Sequence, residues 1–93
     1  MKEAYEKKLK GQLSEWRADI DKLKAKAEQA QGETQLAYYK ELEVLRTQQE
    51  KARDKLDDLR NVGDDAWEDM KAGLDKAWDD LGDSISKAVS RFK

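Results

Sequence analysis

Proline, cysteine and histidine are all absent from this 93-residue chain. Without proline, no residue forces a helix to end. Without cysteine there is no disulfide, no thiolate metal site and no thiol nucleophile, a composition that fits a reducing compartment. Without histidine the chain lacks the commonest general base and the commonest transition-metal ligand. We therefore expect a protein that is not an enzyme, with no catalytic residues, no metal and no cofactor.

Long apolar runs are also missing. No stretch approaches the roughly 20 apolar residues that span a membrane, and residues 1–6 contain no hydrophobic signal-peptide core. We therefore expect a cytoplasmic location. Charged residues make up 43% of the chain, and the net charge is −2. An acidic chain without a long basic stripe is a poor nucleic-acid binder, so we expect neither a nucleic-acid partner nor a small-molecule substrate.

The first two thirds of the chain contain two rows of apolar residues with alternating spacings of three and four. This spacing is typical of a coiled-coil seam. The register slips by one residue near Gly32, which predicts a turn there and helices over about 2–31 and 33–61. The first row is Leu9, Leu13, Trp16, Ile20, Leu23, Ala27 and Ala30, and the second is Tyr38, Leu42, Leu45, Gln49, Ala52, Leu56 and Leu59.

Folding the two rows together about Gly32 gives pairs of side chains whose combined sizes fit one another. Leu23 meets Leu42, and the small Ala27 meets the large Tyr38. Dense packing requires such size matching, so the pattern favours antiparallel pairing. Two continuous helices over 1–61, docked antiparallel in a dimer, would make the same contacts as a hairpin in one chain. The sequence leaves both arrangements open.

The last third of the chain begins with a helix-start pattern and then repeats itself. Asp65 and Glu68 resemble a capping box, which predicts a helix from 64 or 65 to about 92. Segments 64–74 and 75–85 share an eleven-residue pattern, and eleven residues overshoot three helical turns by only ~20°. The pattern therefore aligns one apolar stripe, made of Trp67, Met70, Leu74, Trp78, Leu81, Ile85, Val89 and Phe92.

This stripe has two interpretations. It either packs on the first two helices as core or meets a lipid surface or a protein partner. Tryptophan and phenylalanine on one helix face suit a membrane interface, but such helices usually carry a basic polar face. Here residues 64–83 carry eight acids and two bases, whereas residues 84–93 carry three bases and no acid. Core packing is therefore the favoured interpretation, and reversible lipid binding through 64–93 is the alternative.

Three other features carry no clear chemistry. Gln49 is the polar residue on a leucine-rich seam, where it either fixes the register or borders Trp16 and solvent. The carboxylates of Asp79, Asp80 and Asp83 lack the spacing of a calcium loop. The tyrosine pair at 38–39 has no basic surroundings in sequence that would suit nucleic-acid bases, so packing near the turn is the favoured interpretation.

Segments 8–23 (KLKGQLSEWRADIDKL), 39–59 and 64–74 (DDAWEDMKAGL) together resemble small bacterial proteins described only as coiled-coil domain-containing, some of them called stress-response proteins. The resemblance covers nearly the whole chain and brings no catalytic motif with it. It implies a bacterial cytoplasmic helical protein. The eleven-residue repeat is also similar to repeats of exchangeable apolipoproteins and desiccation-protection proteins, although only the period is shared.

The sequence thus predicts one all-α domain over 1–93, an antiparallel, coiled-coil-like bundle of three helices. The alternative is a long helix over 1–61 with a C-terminal helix, assembled as an antiparallel dimer. The expected function is non-catalytic, structural or interaction-based and stress-associated, with self-association or a protein partner. A membrane surface is the alternative partner.

Overall fold

The computed structural model describes residues 2–63 and 65–92, and this part of the chain forms three helices. They are α1 (Lys2–Gln29), α2 (Gly32–Asn61) and α3 (Trp67–Arg91). The helices form an antiparallel bundle that measures 51 × 19 × 16 Å. Helices α1 and α2 pair within one chain, so the structure has the hairpin and not the continuous helix over 1–61.

The turn between α1 and α2 lies where the register slips. Helix α1 ends at Gln29, and Gly32 has a φ of +63°, a left-handed conformation that glycine adopts without the steric penalty of a Cβ. The Gln35 side chain closes the turn, since its Nε2 donates a hydrogen bond to the Ala27 carbonyl at 3.1 Å. That carbonyl belongs to the last turn of α1, where it also accepts a hydrogen bond from the Ala30 amide at 3.2 Å.

The predicted capping box at the start of α3 is wrong. Helix α3 begins at Trp67, the N-cap is Ala66, and no side chain among the described residues caps it. The Ala66 amide donates to the Gly63 carbonyl at 3.1 Å, so a turn occupies the positions where the helix was expected to begin. Trp67 is 8% exposed, and its burial fixes the point at which the helix enters the bundle. Asp64 lies outside the described residues.

All three helices contribute to one hydrophobic core. Within the described residues no charged or polar side chain is buried, so apolar burial supplies the stability of the fold. Leu13, Trp16 and Gln49 are half-buried at the edge of the seam. The buried residues are Leu9, Ile20, Leu23 and Ala27 in α1, Tyr38, Leu42, Leu45, Ala52, Leu56 and Leu59 in α2, and Trp67, Leu74, Trp78, Leu81, Ile85 and Ala88 in α3.

The helices are too polar to act as membrane spans. Over residues 2–63 and 65–92, none combines the length and the apolarity needed to cross a bilayer.

Candidate interaction site

The apolar stripe of α3 faces the α1–α2 pair. Its members are buried except for Met70 and Phe92, which are half-buried, and Val89, which is 38% exposed. The sequence favours core packing for this stripe, with an outer surface as the alternative. In the structure most of it lies in the core, whereas Met70 near its start and Val89 and Phe92 at its end reach the surface.

Trp78 connects α3 to α1 most directly. Its side chain is 3% exposed, and its indole Nε1 donates a hydrogen bond to the Leu9 carbonyl at 3.1 Å. A buried indole N–H needs such a partner. The bond spans two helices that are far apart in sequence, so it helps to set the position of α3 along the α1–α2 pair.

Tyr5 and Trp67 pack together where α1 and α3 begin. Their ring centroids lie 5.7 Å apart. The Tyr5 hydroxyl donates a hydrogen bond to the Asp75 carboxylate, and the Lys71 ammonium lies 5.6 Å from the Tyr5 ring centroid. Burial raises the pKa of the Tyr5 hydroxyl, and the hydrogen bond to Asp75 and the negative charges of Asp75 and Asp79 raise that pKa further.

Tyr38 and Phe92 close the opposite end of the bundle. Their rings stack with centroids 3.9 Å apart, and the Tyr38 hydroxyl donates to the Phe92 carbonyl at 3.2 Å. Arg91 and Glu41 form an ion pair nearby at 3.9 Å. Tyr38 therefore attaches the end of α3 to α2, whereas the adjacent Tyr39 is 46% exposed.

The exposure of Val89 corrects the stripe that the repeat predicted. Each eleven-residue repeat advances the pattern by ~20° around the helix, so by the third repeat the original line has turned away from the core. The alanines that flank the stripe show the same rotation. Ala66 is exposed, Ala77 is half-buried and Ala88 is buried, so Ala88 occupies the core position that was expected for Val89.

Trp16 packs in a place that the seam did not predict. The seam puts it opposite Gln49 on α2, but its indole lies against Gly82 on α3. An alanine methyl at Gly82 would lie 3.0 Å from Cζ2 of Trp16. Gly82 therefore provides the close approach that lets the indole cover this side of α3, a function that glycine serves because it has no Cβ.

This contact predicts that alanine will change the stability of the protein differently at two glycines of α3. Gly73→Ala should stabilise the protein by about 0.5–1 kcal/mol, because alanine is the better helix former and nothing lies within 4 Å of the added methyl. Gly82→Ala should lose that gain, because the methyl displaces Trp16. Urea titrations of both variants measure the difference. An equal gain in both would contradict the Trp16 contact.

Two glutamines border the core in different places. Gln49 lines a groove between α1 and α2 together with Leu13 and Arg53, so it lies at the edge of the seam and not at its centre. Gln48 faces α3, and its Oε1 is enclosed without a hydrogen-bond partner among the described residues. The seam pattern gave no sign of Gln48, because it lies one position before the apolar row.

The carboxylates of α3 are dispersed along its outer face. In the part of the chain that the structure describes, no group of three or more acidic residues is arranged to hold a metal ion.

Comparisons with known proteins add no assignment. No family model, no curated protein and no solved structure matches this sequence. The resemblance to coiled-coil and stress-response proteins remains a prediction from the residues that carry it.

Proposed function

We propose that this protein is a non-catalytic structural or interaction protein that presents its outer helix faces to a partner. The observation that carries the proposal is the burial of the α3 stripe, above all of Trp78, which is 3% exposed and bonded to α1. A helix whose apolar face is already covered has little apolar area left for lipid, so recognition falls to the charged faces. A stress-associated role in a bacterial cytoplasm, implied by the resemblance, belongs to the same proposal.

Reversible lipid binding through α3 is the second candidate. It is favoured by the end of the helix, where Val89 is 38% exposed and Lys87 and Arg91 supply positive charge. An amphipathic helix with this composition at one end could insert its apolar face into an anionic bilayer surface. To do so over its whole length, α3 would have to leave the bundle and expose Trp67 and Trp78.

Tryptophan fluorescence separates the two candidates. The variant Trp16→Phe leaves both remaining indoles on α3, and we titrate it with neutral and with anionic lipid vesicles. We expect blue emission in buffer that does not change with either vesicle, because both indoles are already out of water. Emission that is red in buffer and shifts to the blue with anionic vesicles, together with co-flotation of the protein, would favour the lipid candidate and contradict the first.

A further inference from the structure

The α1–α2 pair has a second face, which α3 does not cover. A groove of about 340 Å³ runs along it, with Leu13, Gln49 and Leu56 at its base. Every residue that lines this groove belongs to α1 or α2, whereas Trp16 and Gln48 lie on the side of the pair that contacts α3. The groove is thus a coiled-coil seam with its outer side open.

Basic residues repeat every seven positions along both walls of this groove. In each helix they follow directly after a seam residue, so they form one row beside the seam. Because the helices run antiparallel, the two rows face each other. We call these six residues the basic ladder: Lys10, Arg17 and Lys24 on α1, and Arg46, Arg53 and Arg60 on α2.

The fold makes little use of the basic ladder. All six side chains are exposed, and like charges that face each other across a seam repel. Within the described residues only Arg60 of the ladder has a carboxylate within 4.0 Å, from Glu6 at 2.6 Å and from Asp57 at 3.7 Å. The repulsion between the two rows therefore destabilises the pairing of α1 with α2, and a bound anion would reduce that repulsion.

Acidic residues limit the basic region to part of the groove. Glu50 and Asp57 line the stretch that holds five of the six ladder residues, so bases remain in excess there. Towards the turn, Glu28, Glu43 and Glu50 surround Lys24 and Arg46, and the excess disappears. The anionic occupant should therefore lie along the stretch from Arg46 to Arg60, which covers about 21 Å at 1.5 Å per residue.

We propose that this groove binds an acidic amphipathic helix of a partner protein, which would add a fourth helix to the bundle. Carboxylates every seventh residue would match the period of the ladder, and arginine binds carboxylates in a bidentate geometry. Leu13, which is half-buried at the base of the groove, suits the apolar side of a helix lying there. This inference rests on the proposed interaction function and names the chemistry of the partner.

A second copy of the chain fits this groove less well. The acidic outer face of α3 has the right charge, but it lies on the opposite side of the bundle from the groove. In a complex of two copies, one groove and one acidic α3 face would stay unoccupied. Further copies would then add head to tail and form open chains. A nucleic acid would find the positive charge but leave the half-buried Leu13 at the base of the groove without an apolar partner.

The test uses the full chain and a fluorescent synthetic peptide of four heptads, with leucine at the seam positions and glutamate beside them. A matched peptide carries lysine in place of glutamate. We expect the glutamate peptide to bind at low salt, as measured by fluorescence anisotropy. Its affinity should fall as the salt concentration rises, because exposed charges are screened. The lysine peptide should not bind.

Paired variants locate the binding site. The double variant Arg17→Glu with Arg53→Glu should bind the glutamate peptide at least tenfold more weakly than the wild type. The double variant Lys8→Glu with Lys22→Glu changes the net charge by the same amount at exposed positions outside the groove. Its affinity for the glutamate peptide should fall less than threefold. Circular dichroism checks that each variant is folded. If the variant with two glutamates in the ladder is unfolded, the variant Arg17→Gln with Arg53→Gln takes its place.

Three outcomes would overturn the inference. They are no binding of the glutamate peptide by the folded protein, equal losses in the two pairs of variants, and tighter ladder-dependent binding of single-stranded DNA or of a second copy. Any of these can occur while Trp67 and Trp78 stay insensitive to vesicles, in which case the proposed function survives and only the partner is wrong. A vesicle-induced shift of their emission would instead contradict the proposed function.

Discussion

Trp78→Ala should lower the free energy of unfolding by about 3–5 kcal/mol, the usual loss when a buried tryptophan is truncated. The side chain is 3% exposed and holds α3 against α1 through the Leu9 carbonyl. Small proteins have about 0.05–0.15 kcal/mol of stability per residue, so this loss removes a large part of the total for a chain of 93 residues. We expect a partly unfolded population even without denaturant.

Guanidinium titration followed by circular dichroism measures this loss. Trp78→Phe is the matched variant, because it removes the N–H donor and one of the two fused rings but keeps an aromatic ring in the core, so it should be less destabilising than alanine. Tyr39→Ala tests an aromatic residue that is 46% exposed and should change stability by no more than about 0.5 kcal/mol. A Trp78→Ala midpoint equal to that of the wild type would mean that α3 is not docked through this residue.

Helix periodicity made most of the fold predictable. Leu9, Ile20 and Leu23, like Leu42, Leu45 and Leu56, belong to rows whose spacings alternate between three and four, and all six are buried. The eleven-residue repeat likewise placed Trp67 and Trp78 on one face of a third helix. Such periods reveal which residues share a face, and in a bundle the apolar face turns inward.

Periodicity could not predict the contacts that depend on a third helix. Whether Trp16 meets α2 or α3 depends on how far α3 is rotated, and the space at Gly82 is visible only once the helices are packed. The same rotation exposes Val89 and buries Ala88. The start of α3 followed the burial of Trp67 and not the Asp65 capping pattern, because tertiary packing outweighs a cap that contributes about 1 kcal/mol.

The basic ladder is not apparent along the sequence because its members lie seven residues apart and on two separate helices. Arg53, for example, is followed by Asp54 and Asp57, which offset its charge in that stretch of the chain. The ladder emerges only when every seventh residue of two antiparallel helices is read together. Charge at the edges of a coiled-coil seam sets the choice of partner, so this is where a sequence without a catalytic motif can still indicate function.

Removing the turn between α1 and α2 should convert the hairpin into a dimer. We combine Gln31→Ala with Gly32→Ala. Gly32 has a φ of +63°, and that conformation costs other residues about 1–2 kcal/mol, whereas alanine favours a continuous helix by about 1 kcal/mol over glycine. Helices α1 and α2 should then fuse into one helix over 2–61, and its seam should pair with that of a second copy.

Light scattering then gives twice the 10.7 kDa mass of the chain, with helicity undiminished. The swapped dimer makes the same seam contacts as the hairpin, so the balance between the two states rests on the turn and on protein concentration, and dilution should favour the hairpin again. Gly73→Ala is the control, since it raises helix propensity far from the turn and should leave the mass unchanged. A turn variant that keeps the monomer mass and full stability would mean that other contacts, such as the Gln35 hydrogen bond to Ala27, hold the hairpin closed without glycine.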